Sequence, residues 1–187
     1  MRNVLIVLSG PSGVGKGTIA KKLVERNHNI SLSISCTTRS PRDGEINGRE
    51  YFFINKENFL EKVDKDGFLE YSNHFENYYG TPKDFVMKKL EDNDVLLEID
   101  VNGGLNVKKS YPEALLVMIV PPSLEELEKR LIKRNTESLE KIKLRMQRID
   151  YEIEKASLYD YSVVNDDLEQ AITEIEPIII NEKNKQI

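Results

Sequence analysis

The segment with the clearest chemistry is a glycine-rich loop close to the start of the chain. It consists of Gly10, Pro11, Ser12, Gly13, Val14, Gly15, Lys16, Gly17 and Thr18. The loop fits the pattern G-x-x-x-x-G-K, in which backbone N–H groups surround a polyphosphate and the lysine neutralises its outer oxygens. An apolar run over residues 4–8 precedes it, and apolar residues at helical spacing follow it. This order of strand, loop and helix predicts a nucleotide-binding site and disfavours a glycine-rich turn without ligand.

One position of the loop departs from the usual pattern, and it concerns the metal. The residue after the lysine is usually Ser or Thr, whose hydroxyl reaches the Mg²⁺ ion of the nucleotide. Gly17 stands there instead, and Thr18 follows one place later. Either a water molecule keeps the place of the hydroxyl or Thr18 substitutes for it, and both are compatible with an ion that loses its waters reluctantly. The sequence therefore predicts Mg²⁺ and leaves its protein ligand open, with Thr18 as the candidate.

Five arginines form the second group of candidate residues. They are Arg39, Arg42, Arg130, Arg134 and Arg145. They lie beside loops marked by glycine or proline, or on a polar helical hairpin. A guanidinium group matches phosphate oxygens with two parallel hydrogen bonds, and a phosphoryl group in transfer needs cations around its equatorial oxygens. For any single one of them, a solvated surface residue is the safer interpretation, so the set carries the signal.

A carboxylate, Glu70, lies in an otherwise apolar strand. A buried carboxylate needs hydrogen-bond donors, so this residue has either a structural or a ligand-binding partner. From spacing alone, an ion pair between Glu70 and an arginine is the safer interpretation. Tyr51 and Tyr79 could be aromatic residues of the core or of a pocket rim.

The composition is typical of a soluble protein with one domain. The 187 residues are 39% hydrophobic and 32% charged, and the formal net charge is −5. Binding to nucleic acid or to an anionic membrane calls for a basic face, so we expect neither partner. Cys36 is the single cysteine, which excludes an internal disulfide and suits a reducing compartment. With no recognisable signal peptide or membrane span, we expect a cytoplasmic protein.

Hydrophobic patterns predict an α/β fold. Runs over residues 4–8, 95–101 and 115–120 are apolar enough for strands covered on both faces. An alternating run over residues 30–36 predicts a half-buried strand. Shorter strands between these elements indicate an inserted subdomain, and Thr81 with Pro82 has the residue types of a helix start.

The sequence of residues 123–157 predicts a charge-rich helical hairpin. Ser123 and Glu126 have the spacing of a capping box, and a polar break over residues 135–138 separates two helices. Because the hairpin shows little apolar surface, we expect it to be hinged rather than packed. A final helix is expected to give way to a frayed tail from residue 181.

Four segments at their observed order and spacing resemble the guanylate kinase family. They are residues 10–18, 35–45, 77–80 and 164–167. The resemblance covers essentially the whole chain. It implies a P-loop kinase fold, in which a parallel sheet is sandwiched by helices and carries an inserted, small mixed-β GMP-binding subdomain and a helical lid. Within a single domain of residues 1–187, the core would span residues 1–34, 85–122 and 158–187. The GMP-binding region would span residues 35–84, and the lid region residues 123–157.

The resemblance also implies a reaction and a role for each site residue. ATP and GMP would give ADP and GDP, with Mg²⁺. The phosphate of GMP would be held by Arg39, Arg42, Tyr51 and Tyr79. Guanine would be read by Ser35, Glu70 and Thr81, with Glu45 supporting that pocket and Asp100 matching an acidic residue of the family's Asp-x-Asp. The transferred phosphoryl group would be surrounded by Lys16, Arg130, Arg134 and Arg145. Asn165 would lie near adenine.

The chemistry of guanine agrees with a carboxylate reader. Its Watson–Crick edge offers two adjacent N–H donors, which one carboxylate can accept together, whereas adenine lacks such a pair. Glu70 would therefore discriminate against AMP by leaving its charge unpaired. Three positions depart from the family pattern: Gly17, Glu98 in place of the first Asp of the pair, and Asn135 in place of a glycine.

Two other functions stay open at the level of the sequence. Another nucleoside monophosphate kinase, such as an adenylate or thymidylate kinase, could share the loop, and Gly17-Thr18 is how adenylate kinases continue it. A non-catalytic guanylate-kinase-like binding module is the second alternative, although such modules tend to lose the phosphate loop.

Overall fold

The computed structural model describes residues 2–74, 76–133 and 139–185. Its strands are β1 (Leu5–Ser9), β2 (Ile30–Leu32), β3 (Cys36–Thr37), β4 (Phe52–Phe53), β5 (Phe68–His74), β6 (Asn77–Pro82), β7 (Asp94–Glu98), β8 (Leu115–Val120) and β9 (Tyr161–Val164). Its helices are α1 (Lys16–Arg26), α2 (Lys56–Asp64), α3 (Lys83–Leu90), α4 (Val101–Ser110), α5 (Leu124–Lys133), α6 (Leu139–Glu154) and α7 (Leu168–Lys185). A 3₁₀ turn, Lys155–Leu158, joins α6 to β9.

A parallel sheet forms the centre of the molecule. Its strands have the order β2-β7-β1-β8-β9 and all neighbouring pairs are parallel. Strand β1 is buried along its whole length, as its apolar run predicts. The chain order reverses at β1, and open parallel sheets bind ligands beside the carboxyl ends of their strands at such a point. The loop after β1, Glu98 at the end of β7 and Asn165 after β9 therefore meet at one edge.

Helices cover both faces of this sheet. Successive residues of a strand point to opposite faces. Accordingly, Ile6 belongs to one buried cluster that includes residues of α1, α5, α6 and α7, and Leu5 belongs to another that includes residues of α3 and α4. The predicted α/β fold, with a parallel sheet sandwiched by helices, is confirmed.

A second, mixed sheet has the strand order β4-β3-β6-β5. The prediction of one strand over residues 30–36 is wrong, because β2 belongs to the parallel sheet and β3 to the mixed one. Ser33 N still donates to Leu96 O on β7 at 2.9 Å, after which the chain crosses to the second sheet. The mixed sheet packs on a small core in which Phe59 and Phe68 stack with their ring centroids 4.5 Å apart.

Two predicted element boundaries near the site are also wrong. Thr81 does not cap a helix: it lies in β6, and α3 begins after Pro82. The strand predicted over residues 95–101 ends at Glu98, and Asp100 is the N-cap of α4, with its side chain accepting from Gly103 N at 2.8 Å. Helix α4 itself has no counterpart among the predictions.

The hairpin of α5 and α6 begins as predicted but packs more firmly than expected. Ser123 Oγ accepts from Glu126 N at 3.1 Å, as in a capping box. However, Leu127, Leu131, Ile142 and Ile149 are buried and belong to the core cluster of one sheet face. The expectation of a hinged hairpin with little apolar contact is therefore wrong, because each helix contributes two of these side chains.

The carboxyl-terminal helix continues beyond the expected frayed tail. Helix α7 extends to Lys185, and Lys183 Nζ donates to both carboxylate oxygens of the buried Asp94, at 3.0 and 2.7 Å. This contact keeps the last turns of α7 on the sheet. Among the described residues, no helix combines the length and the apolar character that crossing a membrane requires.

Candidate active site

The glycine-rich loop connects β1 to α1, as predicted. Pro11 and Val14 are buried, whereas Gly17 and Thr18 are exposed in the first turn of α1. Lys16 folds back over the loop, and its Nζ donates to Gly10 O at 2.6 Å and to Pro11 O at 3.3 Å. Gly15 is the N-cap residue, so no side-chain hydrogen bond occupies the amino end of α1 in the described structure. The positive end of the helix dipole and the lysine charge are thus directed at one place, which suits a polyphosphate.

Asn165 supports this loop from the side of β9. Its Nδ2 donates to Val14 O at 2.7 Å, and the residue is buried. Gly15 has a φ of +101°, and a Cβ there would lie 2.5 Å from Asn165 Nδ2. Only glycine meets both conditions. The predicted contact of Asn165 with adenine stays a prediction, and the structure adds a second role, in which the amide holds the loop in shape.

Arg130 lies next to this support. Its Nη1 donates to Asn165 O at 2.8 Å, and its Nε donates to Glu126 Oε1 at 3.1 Å, four residues earlier on α5. The side chain is 25% exposed, and its Nη2 lies 3.5 Å from Asp166 O. Arg134 lies outside the described residues. Arg145 belongs to α6, and its predicted role, like that of Arg134, stays a prediction.

The mixed sheet brings together the residues expected to read the base. Glu70 pairs with Thr81 across β5 and β6, and Cys36 pairs with Gly80 across β3 and β6. Extending that antiparallel register by one residue places Ser35 beside Thr81. Thr81 and Glu70 thus face each other on adjacent strands, and Ser35 directly precedes β3 on the other side of β6. After the role predicted for these three residues, we call them the base end.

Glu70 is the most unusual group of the base end. It is 7% exposed, and Thr81 Oγ1 donates to its Oε1 at 2.6 Å. Burial raises the pKa of Glu70 to about 7, and the nearby charge of Asp100 adds to the rise, although the Thr81 hydrogen bond opposes it. Among the described residues, no ion pair involves Glu70, so the predicted pairing with an arginine is wrong. The carboxylate is held by a neutral hydroxyl and keeps acceptor capacity for a ligand.

Arginine and carboxylate groups cluster on the loop that follows β3. After the role predicted for them, we call this cluster the phosphate end. Arg39 donates from Nη1 and Nη2 to the two carboxylate oxygens of Glu45, each at 2.7 Å. Glu45 Oε2 also accepts from Arg42 N at 2.8 Å. The Arg39 guanidinium holds the pKa of Glu45 at about 2, well below its usual range. Glu45 thus fixes both the direction of Arg39 and the turn that carries Arg42.

Two tyrosines border the phosphate end. The Arg39 guanidinium lies 5.1 Å from the ring centroid of Tyr51, and the rings of Tyr51 and Tyr79 are 6.0 Å apart in an edge-on arrangement. Both tyrosines are half-buried, so they line the rim of the pocket rather than the protein core. Their hydroxyl groups are donors that a phosphate could use.

A carboxylate stands between the loop and the pocket. Glu98 ends β7 opposite Leu8 of β1, and its two oxygens would lie 3.3 Å from a Cβ at Gly17. Glu98 therefore takes up the space into which a serine or threonine at position 17 would extend. Gly17 and Glu98 are far apart in the sequence, where each departs from the expected pattern, and the structure brings them together.

Two glycines and a tyrosine near Asp100 were missing from the sequence prediction. Gly103 and Gly104 follow Asp100 in the first turn of α4, and Tyr159 packs on that turn from the end of the 3₁₀ segment. The spacing of Asp100 to Gly103 is that of a helix N-cap and could have indicated the helix. Nothing in the sequence pattern connects Tyr159 to it.

The sequence and the fold are similar to those of known proteins over nearly the whole chain. The family model described as guanylate kinase matches residues 2–182. A guanylate kinase of Caldanaerobacter subterraneus subsp. tengcongensis is 50% identical over 97% of this chain and 89% of its own length. One of Clostridioides difficile is 48% identical over 98% of this chain and 90% of its own.

A solved structure supports the same relationship. The crystal structure of guanylate kinase from Anaplasma phagocytophilum has a TM-score of 0.77 and 33% sequence identity to this chain. The match covers 97% of this chain and 86% of that protein. The chain belongs to the guanylate kinase family.

Proposed function

We propose that the glycine-rich loop binds ATP and that the pocket between the two sheets binds GMP, so that the chain transfers the γ-phosphoryl group of ATP to GMP and releases ADP and GDP. This is the ATP-dependent reaction of its family. The observation that carries the choice of GMP is the buried Glu70, which Thr81 holds in place and whose carboxylate can accept from both N–H groups of guanine. Adenine lacks this adjacent pair of donors and would leave part of the carboxylate's acceptor capacity unmet, which is costly in a buried site.

The chain's own residues supply position and charge rather than a general base. Phosphoryl transfer depends mainly on alignment and on cations around the transferred group. Lys16 and Arg130 would face the phosphates of ATP, and Arg39 with Arg42 would hold the phosphate of GMP in line with them. Because Glu45 already directs Arg39, little side-chain ordering would remain when GMP binds. Arg134 and Arg145 would complete the set from the lid region.

Mg²⁺ would be held where the loop and β7 meet. Among the described residues, no three His, Cys, Asp or Glu side chains converge in a way that could bind a metal. This fits an ion held largely by phosphate oxygens and water, with one or two protein oxygens. The Glu98 carboxylate beside Gly17 and the exposed Thr18 hydroxyl are the residues that fit. When bound, the ion would offset negative charge on the transferred phosphoryl group.

The single domain would divide into three working regions. We propose a core of residues 1–34, 85–122 and 158–187, the GMP-binding region of residues 35–84 and the lid region of residues 123–157. The crossing of the chain between sheets near Ser33 and Ser35 supports the first boundary. Since Leu131 and Ile142 are buried in the core cluster, the lid region would slide on the core rather than detach from it. We also propose a cytoplasmic location.

A coupled assay of ADP release with GMP, AMP, dTMP and UMP tests this function. We expect turnover with GMP and at most a trace with the other three. Preference for AMP or dTMP would identify a different nucleoside monophosphate kinase. No turnover with any of the four would favour a binding module.

A further inference from the structure

The buried hydroxyl of Tyr159 has no part in the function proposed so far. Tyr159 is 8% exposed, and its hydroxyl donates to Val101 O at 2.9 Å, in the first turn of α4. The Ser9 hydroxyl, at the end of β1, lies next to the phenol oxygen. Burial raises the pKa of Tyr159 well above its usual value, so the phenol stays protonated and remains a donor. The residue therefore joins α4 to the strand that leads into the phosphate loop.

The two glycines of α4 leave room for side chains that lie very close on either side of the helix. A Cβ at Gly104 would lie 2.2 Å from the Tyr159 hydroxyl and 2.8 Å from Ser9 Oγ. A Cβ at Gly103 would lie 3.1 Å from Glu70 Oε2. Glycine is a poor helix former compared with alanine, so two in succession need a reason. The reason here is that the first turn of α4 is packed against Tyr159 on one side and Glu70 on the other.

Asp100 depends on the same turn. Its side chain accepts from Gly103 N at 2.8 Å, and its carbonyl accepts from Gly104 N at 3.0 Å and from Ser9 Oγ at 3.2 Å. A shift of the first turn would move Asp100 and would also change the wall beside Glu70. We propose that Tyr159 is a positioning residue for the GMP pocket, whose hydroxyl fixes the first turn of α4 and thereby the places of Asp100 and Glu70. The inference rests on the proposed binding of GMP in that pocket.

The position of Tyr159 in the chain adds a link to the lid region. It directly follows the 3₁₀ turn through which the lid region returns to the core. In the same turn, the Lys155 ammonium group contacts Asn102 Oδ1 on α4. The exit of the lid region and the wall of the GMP pocket thus share two side-chain contacts.

The test compares Tyr159→Phe with Tyr161→Phe. The first removes one oxygen and keeps the ring, and the control removes a hydroxyl that accepts only a surface contact from Lys185 Nζ at 3.2 Å. With Tyr159→Phe we expect KM for GMP to rise about three- to tenfold, as for the loss of one buried hydrogen bond, with kcat and KM for ATP within about twofold of wild type. Tyr161→Phe should leave all three unchanged.

A purely structural role would give a different pattern. In that case, Tyr159→Phe would lower the melting temperature and leave KM for GMP at the wild-type value, which would overturn the inference. If the unaltered chain turned over GMP normally, the proposed function would stand in spite of this result. If the unaltered chain did not act on GMP at all, both would fall.

A double-mutant cycle adds a second line of evidence. Gly104→Ala alone should raise KM for GMP more than Tyr159→Phe does, because its methyl group meets the phenol oxygen. With that oxygen absent, the combined variant should bind GMP no more weakly than Gly104→Ala alone. Multiplicative effects of the two substitutions would contradict a shared contact.

Discussion

The proposed ATP side and the proposed GMP side of the site are constructed from different groups. On the ATP side the contacts run to the main chain: Lys16 donates to Gly10 O, and Asn165 donates to Val14 O. Backbone groups are the same for every residue type, so a loop of this kind recognises the charge and shape of a polyphosphate. It carries little information about the base.

The GMP side consists of contacts between side chains. Thr81 holds Glu70 at the dry base end, and Glu45 holds Arg39 at the half-exposed phosphate end. We expect the identity of the monophosphate to be read here, because these side chains differ in donors, acceptors and charge. The comparison predicts that substitutions on the ATP side affect every substrate equally, whereas those on the GMP side change the choice of monophosphate.

The largest expected effect is on the ATP side. Lys16→Met should lower kcat at least about a thousandfold, because the ammonium group offsets charge that is shared between the leaving and the transferred groups. The loss should be equal for GMP and for any poorer acceptor. Lys21→Met, on the exposed face of the same helix, is the matched control and should keep full turnover. Near-normal turnover of a folded Lys16→Met protein would remove the loop from the mechanism.

The next effect is at the base end. Glu70→Gln replaces one acceptor by an NH₂ group that faces a guanine donor, at a cost of about 2–4 kcal/mol, so KM for GMP should rise about 30- to 1,000-fold. KM for ATP should stay constant, and AMP should gain relative to GMP. Steady-state kinetics with both monophosphates measure this. An unchanged GMP/AMP ratio would show that Glu70 does not read the base.

The same variant tests the burial of a charge. The pKa of Glu70 is raised in the folded state. The stabilisation that this group provides is therefore complete below about pH 4.5, the pKa in the unfolded chain, and is lost as the pH rises through the folded pKa of about 7. Above that pH, Glu70→Gln should therefore melt no earlier than wild type. A clear loss of stability would indicate a structural partner for the carboxylate.

The phosphate end should respond more weakly. Glu45→Gln removes the carboxylate that orients Arg39, and we expect KM for GMP to rise about tenfold with KM for ATP unchanged. Glu50→Gln is a matched control on the same loop, because Glu50 also accepts from an arginine, Arg49, and from a backbone N–H, that of Ile46. Since Arg49 is not part of the pocket, the control should behave like wild type. Equal effects of the two variants would mean that loop stability, not Arg39, is responsible.

The smallest expected effect is a pH dependence of KM for GMP, which arises at the base end only. With a pKa of about 7, Glu70 is largely protonated in the free protein at about pH 6, and a protonated carboxyl can accept only one guanine N–H fully. KM for GMP should therefore rise up to about tenfold from about pH 8 to about pH 6. Glu70→Gln should retain only the part of this dependence that comes from GMP itself. An identical profile in both proteins would exclude titration of Glu70.

Sequence patterns were sufficient for the elements that repeat a simple rule. Continuous apolar runs located β1, β7 and β8, and the loop pattern located Lys16. Predicted boundaries of strands and helices were wrong where two such rules compete. Thr81 followed by Pro82 satisfies the rule for a helix start, but the hydroxyl is used by Glu70, so both residues stay in β6.

The features that the sequence did not predict depend on contacts between distant parts of the chain, which no local pattern encodes. Helix α4 was not predicted because Gly103 and Gly104 lower its intrinsic propensity, and the reason for them lies on β5 and beyond α6. The partner of Glu70 was wrongly predicted as an arginine, since spacing along the chain cannot distinguish a hydroxyl across a strand pair from a distant cation. Likewise, the charge-rich composition of the hairpin gave no indication that Ile142 and Ile149 of α6 are buried.

The hydrogen bond between Asn165 and Val14 has a consequence for synthesis of the protein. Its two residues are 151 positions apart, so the loop leaves the ribosome long before the side chain that supports it. Domains generally fold as units during synthesis. A nascent chain that stops before β9 has the complete G-x-x-x-x-G-K sequence without the side chain that supports it. We therefore expect chains truncated before Asn165 to bind ATP more weakly than the full chain does.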